Sequence, residues 1–190
     1  MSTLKTTLTI LPLIIGLAVS IVFIFFIGAD TLVEYIGVQN AYLLMFCVAA
    51  LGGLSTFNSV PYLAVLLVLA NTGVNPFWLG LVSALGVMCG DSFSYILGRS
   101  GGAVIPDSFQ FVFTGIKNFA INYPRLFPGF CFVYGAICPL SNDFVTIASG
   151  IAHIPYRKVM VPLALGNIVF NITFAYLAVY ATDWIGGVLG

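Results

Sequence analysis

Charged residues are scarce in this 190-residue chain. It has six lysines and arginines, six aspartates and glutamates and one histidine. Charged residues therefore make up only 6% of the sequence, against about 25% in a typical soluble domain. Because apolar residues make up 61%, the composition argues against an ordinary soluble domain and predicts an integral membrane protein. The net charge of zero gives no electrostatic basis for nucleic-acid binding, so we expect no nucleic-acid partner.

The chain also lacks the motifs of common enzymes. It contains no HExxH, GxSxG or P-loop pattern. Its four cysteines form no CxxC pair and lie in apolar segments, which is typical of small apolar residues rather than of a metal site or a disulfide. An intramembrane aspartyl enzyme would need two aspartates meeting at depth, but Asp91 and Asp143 lie in no protease-like motif. We therefore expect no enzymatic activity, no metal and no cofactor.

Three apolar runs are long enough to cross a bilayer. Residues 8–29 exceed the apolar core of about 7–15 residues found in a signal peptide, and no A-x-A site follows them. They predict a retained N-terminal transmembrane helix, with a signal peptide as the alternative. Residues 76–98 and 160–182 would each form about 34 Å of helix, against a hydrocarbon core of about 30 Å. Both predict transmembrane helices.

Two further apolar stretches are interrupted in the middle. Residues 41–70 contain GGLSTFNSVP, which includes Pro61, and residues 127–153 contain CPLSND, which includes Pro139. Each half has about ten residues, too few to cross a bilayer. We therefore predict two re-entrant hairpins whose turns lie at membrane depth, where bare backbone must line a cavity or be covered by protein. A single kinked span for each stretch is the alternative.

The arrangement of interrupted stretch followed by span occurs twice, at 41–98 and 127–182. The two spans carry a weak sequence repeat, since each has Ala-Leu-Gly followed after five positions by a polar residue, Asp91 or Asn171. Corresponding interruptions in two halves are typical of transporters. Residues 103–126 join the halves and predict an amphipathic helix at the membrane interface, or one packed on protein.

The distribution of cations predicts the orientation. If the N-terminus is cytoplasmic and each hairpin returns to its side of entry, every lysine and arginine is cytoplasmic, as the positive-inside rule favours. The hairpins then enter from opposite faces. We predict a single domain over residues 1–190: an all-α polytopic membrane protein, built as an inverted repeat of re-entrant hairpin plus transmembrane helix with an extra N-terminal transmembrane helix.

The candidate site begins with Asp91, because a carboxylate at membrane depth costs about 2.5–3.5 kcal/mol and should face protein or water. Tyr95 lies one turn after Asp91, so the two can form one polar site. Asn167 and Asn171 form a similar pair on the last span. We predict a proton or head-group site, with a structural carboxylate that caps hairpin backbone as the alternative. A stripe of small residues allows close packing within the chain or in a homodimer; it comprises Ser83, Gly86, Gly90, Ser94 and Gly98.

Polar residues also mark the predicted hairpin tips. Asn58 precedes Pro61 in the first, and Asn142 and Asp143 follow Pro139 in the second. The prolines interrupt the helices, and the polar residues can contact substrate, cap the following helix, or do both.

Three cations lie at predicted span ends. Arg99 ends the span at 76–98, and Arg157 and Lys158 precede the span at 160–182. They can anchor the topology or contact lipid phosphates.

One motif resembles a known family. The stretch GDSFSYILGRSGG at 90–102 resembles the G-D-x-x-x-Y-x-x-G-R-x-x-G signature of the DedA family, also called VTT-domain or SNARE-associated Golgi proteins. The stretch beginning CPLSNDF resembles the family's second hairpin and last span. The resemblance covers about residues 40–182, and the matched signature residues are Asp91, Tyr95, Gly98 and Arg99.

The resemblance implies an integral membrane protein with two opposed re-entrant hairpins that moves lipids between leaflets. Bacterial members are implicated in recycling undecaprenyl phosphate or flipping phospholipids, some with proton coupling, and eukaryotic relatives act as scramblases. Many members carry a glutamate near the position of Thr56 to Asn58 and arginines near those of Ala136 and Asn142; this chain has none of them.

We therefore expect a lipid scramblase or flippase whose partners are membrane lipids and, if it is coupled, protons. The expected location is the cytoplasmic membrane of a prokaryote. The alternatives are a proton-coupled transporter of a small soluble solute and a non-transporting membrane assembly protein.

Overall fold

The computed structural model describes residues 37–54, 60–101, 110–138 and 141–189. The predicted transmembrane helix at 8–29, together with Asn58 and Pro139, lies outside these residues. As predicted, the described part of the chain is all-helical. It forms seven helices: α1 Val38–Leu54, α2 Val60–Ala70, α3 Pro76–Arg99, α4 Gln110–Asn122, α5 Phe127–Ile137, α6 Asp143–Ile151 and α7 Tyr156–Leu189.

Two of these helices are long and apolar enough to cross a membrane. They are α3, with 24 residues and a mean hydropathy of 1.4, and the Tyr156–Ala181 part of α7, with 26 residues and a mean hydropathy of 1.6. α3 begins with a strong start signal: Asn75 Oδ1 accepts hydrogen bonds from the backbone N–H groups of Phe77 (3.0 Å) and Trp78 (3.4 Å), and Pro76 occupies the first turn. α7 extends beyond both ends of the predicted span.

Each interrupted stretch contains two helices. Pro61 is the second residue of α2, where its missing N–H leaves no hydrogen bond unmade. α5 ends at Ile137, two residues before Pro139. α2 and α6 have 11 and 9 residues, or about 14–17 Å of helix, too short to span. α1 is longer than the expected ten residues, with 17.

The second helix pair, α5 and α6, starts at the end of the fold where α7 begins. Phe127, the first residue of α5, shares a buried apolar cluster with Val159 in the first turn of α7. Near the other end of α5, Gly135 lies directly against the backbone of Leu163 and Asn167. α5 therefore runs along α7 only as far as its middle.

α6 then returns towards the same end. Asn142, immediately before α6, hydrogen-bonds Asp91 in the middle of α3. Five residues later Ile147 lies against Gly98, near the last turn of α3. The pair therefore turns at mid-height of the two long helices.

The first pair, α1 and α2, occupies the opposite end. Residues 71–75 join α2 directly to the start of α3, and Val74 and Leu79 are buried in one cluster with α1 and α2. Tyr62, near the start of α2, lies beside Asn171 in α7 and close to Gly52 of α1, where an added Cβ would be 3.6 Å from it. The two helices of this first pair therefore also meet at mid-height, but from the other side. That the two pairs form an inverted repeat of re-entrant hairpins stays a prediction.

An equivalent close contact occurs in both halves. Gly86 of α3 and Gly166 of α7 belong to the repeated Ala-Leu-Gly segments. Gly86 approaches α1, and Gly166 approaches α5, so closely that a Cβ atom on either glycine would overlap the neighbouring helix. In both cases the atoms met include a carbonyl oxygen and the amide nitrogen four residues later. They belong to Phe46 and Ala50 of α1 for Gly86, and to Phe132 and Ala136 of α5 for Gly166.

α4 lies against α6. Phe113 is buried (4% exposed) and its ring packs on Phe144 at 5.6 Å. Phe111, by contrast, is 88% exposed. One face of α4 therefore packs on protein, and the described helix is shorter than the predicted 103–126.

The cations among the described residues gather at one end of the fold. Arg99 ends α3, while the α4–α5 connection and the first turn of α7 lie at the same end. The set comprises Arg99, Lys117, Arg125, Arg157 and Lys158. Which side of a membrane this end faces stays a prediction.

Candidate functional site

A buried carboxylate joins three elements at mid-height. Asp91 of α3 is 2% exposed, and its Oδ2 accepts hydrogen bonds from Asn142 Nδ2 (2.9 Å) and Asn167 Nδ2 (3.1 Å). Asn142 Nδ2 also donates to Asn167 Oδ1 (3.0 Å). The tip of the second helix pair is thereby tied to both long helices. Asp91, Asn142 and Asn167 were all predicted site residues, and the structure brings them together.

The hydrogen bonds continue towards the first helix pair. Asn171 Nδ2 donates to the backbone carbonyl of Asn167 (2.8 Å), and Ser83 Oγ donates to Asn171 Oδ1 (3.0 Å). The buried Tyr62 of α2 lies beside Asn171. We call Asp91, Asn142, Asn167, Asn171 and Ser83 the polar cluster. It runs from the tip of one helix pair to the neighbourhood of the other.

Asp143 lies next to the polar cluster but has different partners. It is 1% exposed, its Oδ2 accepts from Ser141 Oγ (2.9 Å), and its backbone N–H donates to the same hydroxyl oxygen (3.3 Å). Tyr134 of α5 donates to the carbonyl of Ser141 (3.0 Å). The two carboxylates, Asp91 and Asp143, interact electrostatically. Asp143 thus lies in the first turn of α6, where an acidic side chain is favourable. Asn142 precedes α6 but its side chain makes no capping hydrogen bond and binds Asp91 instead.

No buried cation accompanies these carboxylates in the described part of the chain. The buried polar and charged side chains there include no lysine or arginine. Hydrogen-bond donors to Asp91 are neutral amides, which serve as donors and acceptors at once. Such a cluster can bind or pass on a proton, and it can exchange hydrogen bonds with a polar group. Among the described residues no group of three or more histidine, cysteine or acidic side chains could hold a metal ion.

Tyr95 belongs to a separate contact. Its ring is buried (3% exposed), and its hydroxyl donates to the Ile154 carbonyl in the loop before α7 and accepts from Arg99 Nη1 (3.1 Å). The ring also packs edge-on against Tyr156 at 5.4 Å. Asp91 and Tyr95 therefore do not form one site. The Tyr95 hydroxyl instead hydrogen-bonds the loop between α6 and α7.

The other predicted contact residues are exposed or lie outside the described residues. Arg157 and Lys158 are exposed in the first turn of α7, and Arg99 is exposed although it bonds Tyr95. Asn58 and Pro139 lie outside the described residues.

The sequence analysis missed the polar roles of Ser83 and Tyr62. As a small residue, Ser83 fits the stripe of small residues. The signal for its polar role is its position eight residues before Asp91, on the same side of the helix.

Removing the Tyr95 hydroxyl tests the contact between α3 and the α6–α7 loop. We expect Tyr95→Phe to lower the free energy of unfolding by about 1–2 kcal/mol, because it leaves the Ile154 carbonyl without its donor. Tyr123→Phe is the matched control, since Tyr123 is 54% exposed and should change little. Thermal unfolding in detergent measures both. Equal melting temperatures for the two variants would contradict the assigned role.

The part of the chain that carries the polar cluster also matches a known family. A model of the VTT domain matches residues 57–180, about two thirds of the sequence. The chain belongs to the VTT-domain family. No curated protein and no solved structure matches it.

The VTT domain contains the whole polar cluster. It runs from just before α2 into α7 and leaves α1 in front of it. The resemblance to the DedA and SNARE-associated family is thereby confirmed. Members of this family are integral membrane proteins, and α3 and α7 are the candidate spans.

Proposed function

We propose that this VTT-domain protein moves lipid head groups between the two leaflets, as a scramblase or flippase. The observation that carries the proposal is the polar cluster, which joins both long helices at mid-height of the fold. In this proposal each helix pair is a re-entrant hairpin, and the tip of the second supplies Asn142. A turn at membrane depth must be covered by protein or line a cavity, and polar side chains at its tip can replace the water lost by a head group.

The charge of the polar cluster indicates which class of lipid suits it. A phosphate held at depth favours a cationic partner, and the described part of the chain has no buried lysine or arginine. Zwitterionic phospholipids therefore suit the cluster better than an isolated polyprenyl phosphate. The asparagine amides of the cluster can donate hydrogen bonds to the phosphate oxygens of such a head group, and the Asp91 carboxylate can attract its ammonium group.

A proton-coupled transporter of a small soluble solute is the second candidate. The observation that favours it is the acidic group itself: Asp91 is buried in the middle of a candidate span and interacts with a second buried carboxylate, Asp143. Ionisable groups at this depth are typical of proton pathways.

A flipping assay decides between the candidates. The purified protein is placed in liposomes containing fluorescent phosphatidylcholine, and a membrane-impermeant quencher reads the outer leaflet, with and without a pH gradient. We expect fluorescence to fall beyond the half that protein-free liposomes lose. No flipping in either condition would contradict lipid transport. Solute uptake that depends on the gradient would then support the second candidate, and absence of both activities would favour a non-transporting assembly protein.

A further inference from the structure

A cavity separate from the polar cluster lies between α4 and α6. Its volume is about 240 Å³, room for about eight water molecules at 30 Å³ each. Four of its lining residues follow one face of α4 at helical spacing, and two come from α6. The lining comprises Gln110, Phe113, Thr114, Lys117, Ala148 and Ile151.

The polar wall of this cavity is positive. Among the residues that the structure describes, Lys117 is the one charged residue in the lining, and no carboxylate lines the cavity. The Thr114 hydroxyl and the Gln110 amide add hydrogen-bond donors on the same face of α4. A lysine ammonium is a compact charge that binds phosphate well. This wall therefore suits a phosphate group.

The rest of the lining, which we call the apolar wall, consists of Phe113 of α4 with Ala148 and Ile151 of α6. Phe113 is 4% exposed and Ala148 1% exposed, and Ile151 packs with them. A ligand that fills the cavity therefore needs an apolar portion as well as an anionic one. A membrane lipid has both, joined at the phosphate.

The position of the cavity agrees with a lipid ligand. Lys117 belongs to the end of the fold where the described cations gather, which is where lipid phosphates lie in a membrane protein of this orientation. Beside the cavity, α4 exposes 88% of Phe111 and 38% of Val112, and such side chains are stable against acyl chains.

We propose that this cavity binds the phosphate of an anionic membrane phospholipid, with Lys117 as the counter-charge and Thr114 and Gln110 as hydrogen-bond donors. The site goes beyond the proposed transport activity and does not depend on it. Its occupant would contact α6, the nine-residue helix whose first turn follows Asn142, so a bound lipid could stabilise the helix that positions the polar cluster.

Binding can be measured without reference to transport. The detergent-solubilised protein is titrated with phosphatidylglycerol, or with phosphatidylcholine of the same chains, and bound lipid is counted by native mass spectrometry. We expect Lys117→Gln to weaken phosphatidylglycerol binding about tenfold, the effect of losing one charge-assisted hydrogen bond. Lys158→Gln is the matched control, because Lys158 is exposed at the same end but does not line the cavity; less than about a twofold change is expected.

A second variant tests the cavity rather than the charge. Thr114→Phe fills the space and keeps Lys117, and since Thr114 is exposed the helix should tolerate it. We expect the same loss of phosphatidylglycerol binding, with an unchanged melting temperature. Wild-type affinity in Lys117→Gln or in Thr114→Phe, or equal losses in Lys117→Gln and Lys158→Gln, would overturn the proposal.

A competition experiment identifies the source of the phosphate. Inorganic phosphate and glycerol phosphate are added against phosphatidylglycerol. We expect neither to displace the lipid at equal concentration, because neither can occupy the apolar wall. Displacement at equal concentration would assign the cavity to a soluble phosphate and overturn the lipid assignment.

Discussion

Replacing Gly166 by alanine is expected to lower the free energy of unfolding by about 3 kcal/mol. A Cβ at this position would overlap the carbonyl oxygen of Phe132 and lie 2.8 Å from the amide nitrogen of Ala136. Both atoms belong to the backbone of α5, so neither can rotate away as a side chain would. α5 must instead move from α7, and that movement would also separate Gly135 from Asn167.

Gly115→Ala is the matched control, because nothing lies within 4 Å of the Cβ that it would add to α4. Alanine favours helix over glycine by about 1 kcal/mol, so this variant should be neutral or slightly stabilised. Thermal unfolding in detergent, followed by circular dichroism, measures both. Similar melting temperatures for Gly166→Ala and Gly115→Ala would show that the close approach of α5 and α7 is not required.

The same measurement tests the internal repeat. Gly86 meets α1 as Gly166 meets α5, with a Cβ only 2.5 Å from the Phe46 carbonyl oxygen. We expect Gly86→Ala to destabilise the protein about as much as Gly166→Ala. A neutral Gly86→Ala would mean that the two contacts, although similar in geometry, are not equivalent in energy.

The sequence was a good guide to the two long helices and to the breaks within the two interrupted stretches. Length and apolar composition predict α3, and proline predicts the start of α2 and the end of α5, because its ring fixes φ and removes a donor. Glycine was a poorer guide. Gly52 belongs to the interrupting segment GGLSTFNSVP, yet it lies inside α1, where an added Cβ would meet Tyr62 only in ordinary contact at 3.6 Å. Glycine occurs both at helix breaks and where two helices approach closely, so the sequence alone does not distinguish the two.

The site residues were more predictable than their partners. Asp91 and the asparagines are conspicuous because polar groups are costly in an apolar helix. Their contacts depend on packing between residues distant in sequence. The Tyr95 hydroxyl binds Ile154, 59 positions away, rather than Asp91 one turn earlier. Asn142 could have capped α6, but its amide reaches Asp91, 51 positions away.

The variant Asp91→Asn is expected to lower lipid flipping at least about tenfold, a rise of ~1.4 kcal/mol in the barrier, while the protein still folds. Asparagine has nearly the same shape as aspartate, and its carbonyl oxygen can accept the amide hydrogen bonds from Asn142 and Asn167. The substitution therefore keeps the contacts among α3, α6 and α7 and removes the ionisable group, so the side chain can neither carry a negative charge nor take up and release a proton. Flipping in liposomes, with melting temperature measured on the same preparation, separates the two effects.

Ser83→Ala separates the contribution of the acidic group from that of the rest of the polar cluster, to which Ser83 itself belongs. It removes the hydroxyl that donates to Asn171 (3.0 Å), so a buried hydrogen bond is lost at the other end of the polar cluster while the carboxylate stays. We expect a destabilisation of about 1–2 kcal/mol with flipping within about twofold of wild type. If Asp91→Asn flips lipid at the wild-type rate, the carboxylate is a structural connection between helices and transport does not use it. If Ser83→Ala loses flipping as completely as Asp91→Asn, transport depends on the continuous hydrogen-bonded cluster rather than on the acidic group.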